Sequence, residues 1–261
     1  MTHDLGTVAA IIPVRRGSVG LLNKNMKELG GKPLLWYTAR AAMEARKVIR
    51  TIVSTDCEKI AGYAADLGLE TVMQPEYLSG DTAATFPVVR WVAEHLKQAG
   101  QAPDICVVLR VTTPFRTAFD IDSALSLLED HPLADSVVSV VELSGAHPVR
   151  LKTICDGWLC DSFQPEGHVP QRRQELQPVF IRNGGIYAVK MPFVEAGAMW
   201  GEKCLPYVMP QLRSVNINTV DDFRLAECLW SAGLVKDRAV PLAPPRLAPA
   251  ARPVRNRSEL H

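Results

Sequence analysis

Between residues 8 and 141, short apolar runs alternate with longer stretches of helical period, and few folds accommodate that alternation. Val8–Pro13, Thr51–Ser54, Glu70–Met73, Ile105–Arg110 and Ser136–Val141 read as strands. Residues 34–46, rich in Leu, Ala and Met, read as a helix. Residues 57–67 set Ile60, Ala61, Ala64 and Leu67 on one face, with Gly68 as the stop. Residues 83–98 repeat the pattern with Phe86, Val89, Ala93 and Leu96, and residues 120–130 with Ile121, Leu125 and Leu128. Thr55 with Glu58 and Thr117 with Asp120 have capping-box spacing. Strands joined through helices imply an open, mostly parallel α/β sheet, in which ligands bind at the carboxyl ends of the strands.

The first of those ends carries charge. Val8–Pro13 runs into Val14-Arg15-Arg16-Gly17-Ser18-Val19-Gly20-Leu21-Leu22-Asn23-Lys24-Asn25. Glycines let a backbone approach phosphates closely, and turn amides can point at them. Arg15 offers a planar fork and Lys24 a point charge. The segment is neither a Walker A loop nor a GxGxxG fingerprint. Two readings stay open, a polyphosphate loop and a surface loop of solvated charges. Arg110-Val111-Thr112-Thr113-Pro114 falls at a second strand end.

With 261 residues and 47% hydrophobic content, the chain can bury one large domain or one domain with an appendage. A formal net charge of +1 argues against a broad nucleic-acid or membrane surface, but it permits a local basic pocket. Cys57, Cys106, Cys155, Cys160, Cys204 and Cys228 lack metal or CxxC spacing and read as reduced, mostly buried thiols. Residues 1–7 show no signal-peptide core and no run is long enough for a membrane span, so the expected location is cytoplasmic. From about residue 142 to 182 the alternation lapses, as in a protruding arm or lid. Regularity returns at Gly185–Lys190, Ser214–Asn218 and a closing helix over 220–232, where Thr219 and Asp222 form a third capping box. Residues 1–236 read as the folded domain. Residues 237–261, with five prolines and five arginines, read as a disordered tail.

Several segments arrive together in a recognisable order. They are Ile11-Ile12-Pro13-Val14-Arg15 with Gly17-Ser18 and Lys24-Asn25, then Gly31-Lys32-Pro33-Leu34, Ile52-Val53-Ser54-Thr55-Asp56 and Asp81-Thr82-Ala83. Thr112-Thr113-Pro114-Phe115-Arg116-Thr117, Ser136-Val137-Val138-Ser139-Val140, Arg182-Asn183-Gly184-Gly185-Ile186-Tyr187 and Ser214-Val215-Asn216-Ile217-Asn218-Thr219 follow. Over residues 8–232 the chain resembles the acylneuraminate cytidylyltransferases, the CMP-sialic acid synthetase family. That resemblance implies a Rossmann-like sheet of the nucleotide-diphospho-sugar transferase type, with an arm reaching across a homodimer. It implies transfer of CMP from CTP to a small acidic acceptor with loss of pyrophosphate, assisted by Mg²⁺ held largely through the CTP phosphates. Arg15 and Lys24 would be catalytic. Arg15, Gly17, Ser18, Lys24, Asn25, Ala83, Thr85 and Thr112 would hold the nucleotide. Arg110, Arg150, Arg173, Asn183 and Tyr187 would face the acceptor.

The chain departs from the family at chemically telling positions. The Asp-x-Asp pair that binds Mg²⁺ in the family is Asn216 and Asn218 here, and an amide offers a metal an oxygen but no charge. Either the phosphates carry the metal, or another acid serves, or activity is altered. Asp222 has a simpler role as a cap for Thr219. The lysine usual after the Gly-Ser pair is Val19, the glycine usual before it is Arg16, and the arginine expected near cytosine is Gln74. The glutamine that touches the sugar is Arg110, which fits either a further anionic group on the acceptor or a salt bridge to a local carboxylate. Three functions stay in view. The first is a cytidylyltransferase for a nonulosonic sugar acid. The second is one for a small phosphonate, such as phosphonoformate, in phosphonate biosynthesis. The third is a nucleotide-binding pseudoenzyme.

Overall fold

Every second residue of the first strand faces the same way, and both faces are buried. Val8, Ala10, Ile12 and Val14 pack into one layer, and Ala9 and Ile11 pack into the other. This computed structural model describes residues 4–17, 21, 23–79, 85–143, 145–162 and 176–235. In chain order its elements are β1 (Val8–Val14), β2 (Glu28–Leu29), β3 (Lys32–Pro33), α1 (Leu34–Glu44), β4 (Arg50–Thr55), α2 (Glu58–Asp66), β5 (Glu70–Met73), α3 (Thr85–Gln98) and β6 (Ile105–Val108). Then come α4 (Ala118–Asp130), β7 (Ser136–Glu142), β8 (Lys152–Cys155), β9 (Trp158–Asp161), β10 (Phe180–Lys190), α5 (Met191–Glu195), β11 (Cys204–Val208) and α6 (Val220–Ser231). The described residues fall into two compact units, with the chain passing between them after Val141 and again before Phe180.

The larger unit is a Rossmann-like α/β fold. Among the described residues its main sheet has seven strands in the order β11-β7-β10-β6-β1-β4-β5. β4 and β6 flank β1 in parallel, β5 extends β4 and β11 lies parallel to β7, whereas β10 runs antiparallel to β6. Leu35 of α1, Ile60 of α2, Ile121 of α4 and Phe223 of α6 cover one face, and Val89 of α3 and Val194 of α5 cover the other. Each such fully buried aliphatic side chain contributes roughly 1.5–3 kcal/mol. From β1 the chain proceeds to β4 on one side and later to β6 on the other. The connections therefore diverge at the carboxyl end of β1 and leave a crevice there.

Several expectations are corrected. Thr55 does not cap the next helix, because it stays in β4 with its carbonyl bound by the Gln74 amide at 2.7 Å. Its Oγ1 accepts from the Cys57 amide at 3.2 Å, and Cys57 is the N-cap residue. The sixth strand stops at Val108, and Arg110 lies in the turn beyond. Residues 215–218 join no strand; the Ile217 amide donates to the Thr112 carbonyl at 2.7 Å instead. All six cysteines are free, but only Cys106 is buried, because the others lie on partly or fully exposed parts of their elements. The capping boxes at Thr117 and Thr219 are both present, and Gly68 ends α2 with φ +78°. The edge strand β11, which contains Pro206, has no counterpart in the sequence reading. The tail over 237–261 lies outside the described residues.

The smaller unit contains the antiparallel hairpin β8–β9, turned at Asp156-Gly157, where φ is positive at both residues. The Leu143 amide donates to the Val179 carbonyl at 2.8 Å, closing the base of this unit. Ile154, Trp158 and Leu159 are exposed. Among the described residues, no helix is long and apolar enough to cross a membrane.

One buried carboxylate ties the helical layer to the sheet. Asp120 is wholly buried and accepts from Arg213 Nη2 at 2.8 Å and Nε at 3.0 Å, from the Tyr207 hydroxyl at 2.9 Å and from the Thr117 amide at 2.9 Å. Burial pushes the Tyr207 phenol above its usual pKa, and the Asp120 charge adds to the shift. Asp120→Ala would leave buried cations uncompensated, and we expect urea melts to show a loss of about 3–5 kcal/mol. A loss below about 1 kcal/mol, the range of an exposed pair, would contradict this role.

Candidate functional site

The crevice beyond β1 is a cleft of about 320 Å³. Arg15 and Gly17 follow β1 directly, Arg110 and Thr112 follow β6, Gln74 follows β5, and Thr85 opens α3; all of them line the cleft. The basic loop is folded back on itself so that Lys24 and Asn25 line it too. Asn23 takes a left-handed φ of 53°, and a short 3-10 turn, Lys24–Met26, begins there. Asn25 Nδ2 donates to the Arg15 carbonyl at 2.9 Å, joining the two limbs of the loop. The Arg16 amide donates to Asp56 Oδ1 at 2.6 Å, and the Arg16 side chain is exposed.

Positive charge accumulates in this cleft. Burial lowers the Lys24 pKa below its usual value, the Arg110 and Arg15 cations lower it further, and only Asp222 acts in the opposite sense. Among the described lining residues there is no Asp, Glu or His. Lys24 and Arg110 have no ion-pair or side-chain hydrogen-bond partner among the described residues, so Arg110 is not in a local salt bridge. Cations held this close together form a site for a polyanion.

Fixed polar atoms complete the lining. Gln74 Nε2 donates to the Ser54 carbonyl at 2.7 Å, which leaves the buried Oε1 as an acceptor without a partner. Thr112 Oγ1 is likewise buried and unpartnered. Such atoms cost free energy unless a ligand or water meets them.

The remaining expected site residues separate into groups. Asn183 is buried, and its side chain is engaged in the framework. Oδ1 accepts from Ser139 Oγ at 2.6 Å and the Gly185 amide at 3.0 Å, while Nδ2 donates to Ser214 Oγ at 2.8 Å. Tyr187 packs in the core layer beneath α3, paired with Val108. Arg150 is exposed on a 3-10 turn of the smaller unit. Ser18, Ala83 and Arg173 lie outside the described residues. Asn218 is exposed and its amide donates to Asp222 Oδ2 at 2.9 Å, so Asp222 is committed to capping α6. Asp221 pairs with Arg224 at 3.1 Å.

Magnesium fits this set only in one way. Among the described residues no group of His, Cys, Asp and Glu could hold a metal ion. Two buried, unpartnered amide oxygens have suitable chemistry, Gln74 Oε1 in the cleft lining and Asn216 Oδ1. The donors therefore suit a magnesium held mainly by phosphate oxygens, to which Asn216 Oδ1 could add a neutral contact.

The sequence reading overlooked a supporting residue. Arg116 is buried; its Nη1 donates to the Gly185 carbonyl at 2.8 Å, and its Nη2 to the Arg110 carbonyl at 2.9 Å and to Thr38 Oγ1 at 2.6 Å. Its place four residues before Asp120, itself a capping residue, was the available signal.

Comparison with known proteins fits this geometry. The family profile for cytidylyltransferases matches residues 9–202. An N-acylneuraminate cytidylyltransferase of Streptococcus agalactiae serotype V is 32% identical over 217 residues, covering 82% of this chain and 51% of that protein. The chain thus spans about half the length of the N-acylneuraminate cytidylyltransferases that it matches. A CMP-N,N'-diacetyllegionaminic acid synthase of Legionella pneumophila is 30% identical over 233 residues, covering 85% of this chain and 95% of that protein. A CMP:2-keto-3-deoxy-manno-octonic acid synthetase solved with CTP shares the fold, with a TM-score of 0.64 at 16% identity over 87% of this chain and 99% of that one.

The Lys24 environment predicts a pH effect. A bound polyanion favours the charged amine and raises its pKa, so the complex holds more protons than the free protein between the two values. Polyphosphate affinity should therefore fall as pH rises through the lowered Lys24 value, beneath 10.5, with proton uptake on binding. Calorimetry in buffers of different ionisation enthalpy measures this. Pyrophosphate affinity that stays flat through alkaline pH would refute it.

Proposed function

The chain belongs to the cytidylyltransferase family, and from that membership we propose that it transfers CMP from CTP to a small acidic acceptor, releasing pyrophosphate. The observation that carries this reading is the cleft at the end of β1, where Arg15, Lys24 and Arg110 converge with no carboxylate among the described lining residues. A triphosphate supplies the missing negative charge. The acceptor is a nonulosonic sugar acid, as the names of the relatives suggest.

In this reading an acceptor oxygen attacks the α-phosphorus in line. The new O–P bond forms as the bond to the β-phosphate oxygen breaks, and negative charge grows on the departing pyrophosphate. Lys24 and Arg15 meet that charge in a partly desolvated site, where fixed cations act more strongly than in water. Lys24 with its lowered pKa is destabilised as a cation before the ligand arrives and gains most when the charge develops. The Gln74 Oε1 acceptor suits the exocyclic amino group of cytosine. Magnesium riding on the phosphates would add further charge neutralisation. Two copies associate through the smaller unit, whose exposed Ile154, Trp158 and Leu159 provide apolar contact.

A second acceptor class has its own support. A sugar hydroxyl must lose a proton to attack, yet no carboxylate or imidazole is among the described lining residues. A phosphonate oxygen is already ionised and needs no base. The unpartnered Arg110 guanidinium suits the extra charge of such an acceptor.

Pyrophosphate release from CTP and Mg²⁺, with N-acetylneuraminate, legionaminate or small phosphonates as acceptors, tests the proposal. Turnover with one acceptor class is the expected result, and CTP binding without release in any arm would overturn it. Lys24→Ala should lower turnover by about 100-fold, the scale of losing one oriented transition-state donor. A folded variant with wild-type turnover would remove Lys24 from the mechanism.

A further inference from the structure

Gly184 stands on β10 with φ +75° and no side chain above it. A Cβ built there would lie 3.5 Å from Asn216 Nδ2, 3.6 Å from Arg110 Nη1 and 3.6 Å from Thr113 Oγ1. One small space is therefore bordered by an amide donor and a guanidinium donor at close to contact distance. Thr113 Oγ1 already donates to the Asn183 carbonyl at 3.0 Å, so the open donors are those of Arg110 and Asn216. The Arg110 guanidinium has no acidic partner among the described residues.

We propose that this space receives an oxyanion of the acceptor, a carboxylate or phosphonate group, with Arg110 as the residue that selects for it. Asn216 is the second half of the device. A carboxylate in its place would face the guanidinium across Gly184 and weaken the positive field that reads the ligand. A neutral amide leaves Arg110 unpaired and adds a donor of its own. The side chains of Arg110 and Asn216 are thus one specificity element.

The backbone holds this element firmly. Arg116 grips the carbonyl of Arg110, and the Ile217 amide fastens the Asn216 segment to the Thr112 carbonyl at 2.7 Å. Gly185, next to Gly184, has its carbonyl bound by Arg116 at 2.8 Å. The three sides of the space therefore share one hydrogen-bonded frame.

The proposal rests on the cytidylyltransferase reading, and its test separates the two. Phosphonoacetate and methylphosphonate differ by a carboxylate, as do N-acetylneuraminate and its methyl ester by a charge. Each pair is titrated calorimetrically into the wild-type protein, Arg110→Gln, Asn216→Asp and the double variant, with and without CTP. The member with the additional carboxylate charge in at least one pair should bind about ten-fold or more tightly to the wild type, the scale of a charge-assisted contact. The phosphonate arm and the sugar arm show which source of the oxyanion the site takes. Arg110→Gln and Asn216→Asp should each abolish the preference, and the double variant should lose no more than either single one. A preference that survives Arg110→Gln, or survives Asn216→Asp, overturns the proposal. Absence of any preference in the wild type, under both conditions, also overturns it. Failure of the wild type to bind CTP strikes the nucleotide reading instead, and the titrations without CTP still decide the role of Arg110. Melting curves identify any variant that fails to fold, for which Arg110→Lys supplies a variant that keeps the charge but loses the fork and should retain only part of the preference.

Discussion

A single buried guanidinium sets the geometry on which the site depends. Arg116 reaches from the turn before α4 to the carbonyls of Arg110 and Gly185 and to Thr38. It joins the end of β6, the middle of β10 and α1 at one point. Burial disfavours its charge, and Asp120 works against that penalty. Asp120 in turn binds Arg213 and Tyr207, which stand close to β11 or within it. The ends of several elements are thus fixed by ionic hydrogen bonds that would cost several kcal/mol if any one partner were missing. Arg110 inherits its position from this frame, because its carbonyl is held while its side chain enters the cleft.

The sheet supplies the other requirement. Parallel strands around β1 end at one rim, and the connections diverge there. Three cations from two strand ends and one folded loop meet at that rim, with no carboxylate among the described lining residues. The protein tolerates that repulsion because the loop is internally bonded, through Asn25 to the Arg15 carbonyl and through Arg16 to Asp56. Cations positioned in advance are the condition for strong electrostatic stabilisation.

Much of this was legible in the sequence, for definite reasons. The alternating burial of Val8 to Val14 and the helical spacing in α2, α3 and α4 are local patterns, and they located most strands and helices of the larger unit. Arg15, Gly17, Lys24, Asn25, Thr85, Arg110 and Thr112 came from strand-end chemistry and family resemblance, and they do share one cleft. Long-range pairing was not legible. The strand β11 carries Pro206, a weak strand signal, and is fixed by its partner β7. Thr55 has the spacing of a cap but is claimed by the sheet and by the Gln74 amide. The double commitment of Asn183 to Ser139 and Ser214 joins residues far apart in the chain. The freedom of Arg110 from any local carboxylate is a property of three-dimensional surroundings that spacing does not contain.

The central claim is that the cations gathered in this cleft hold a cytidine triphosphate. Its most direct test is calorimetric titration of the wild-type protein with CTP and with CMP in one buffer at fixed salt. The account predicts that CTP binds at least about 100-fold more tightly, because the β- and γ-phosphates meet Arg15 and Lys24. Equal affinity for CTP and CMP would contradict it, since the cations would then contribute nothing to holding the leaving group.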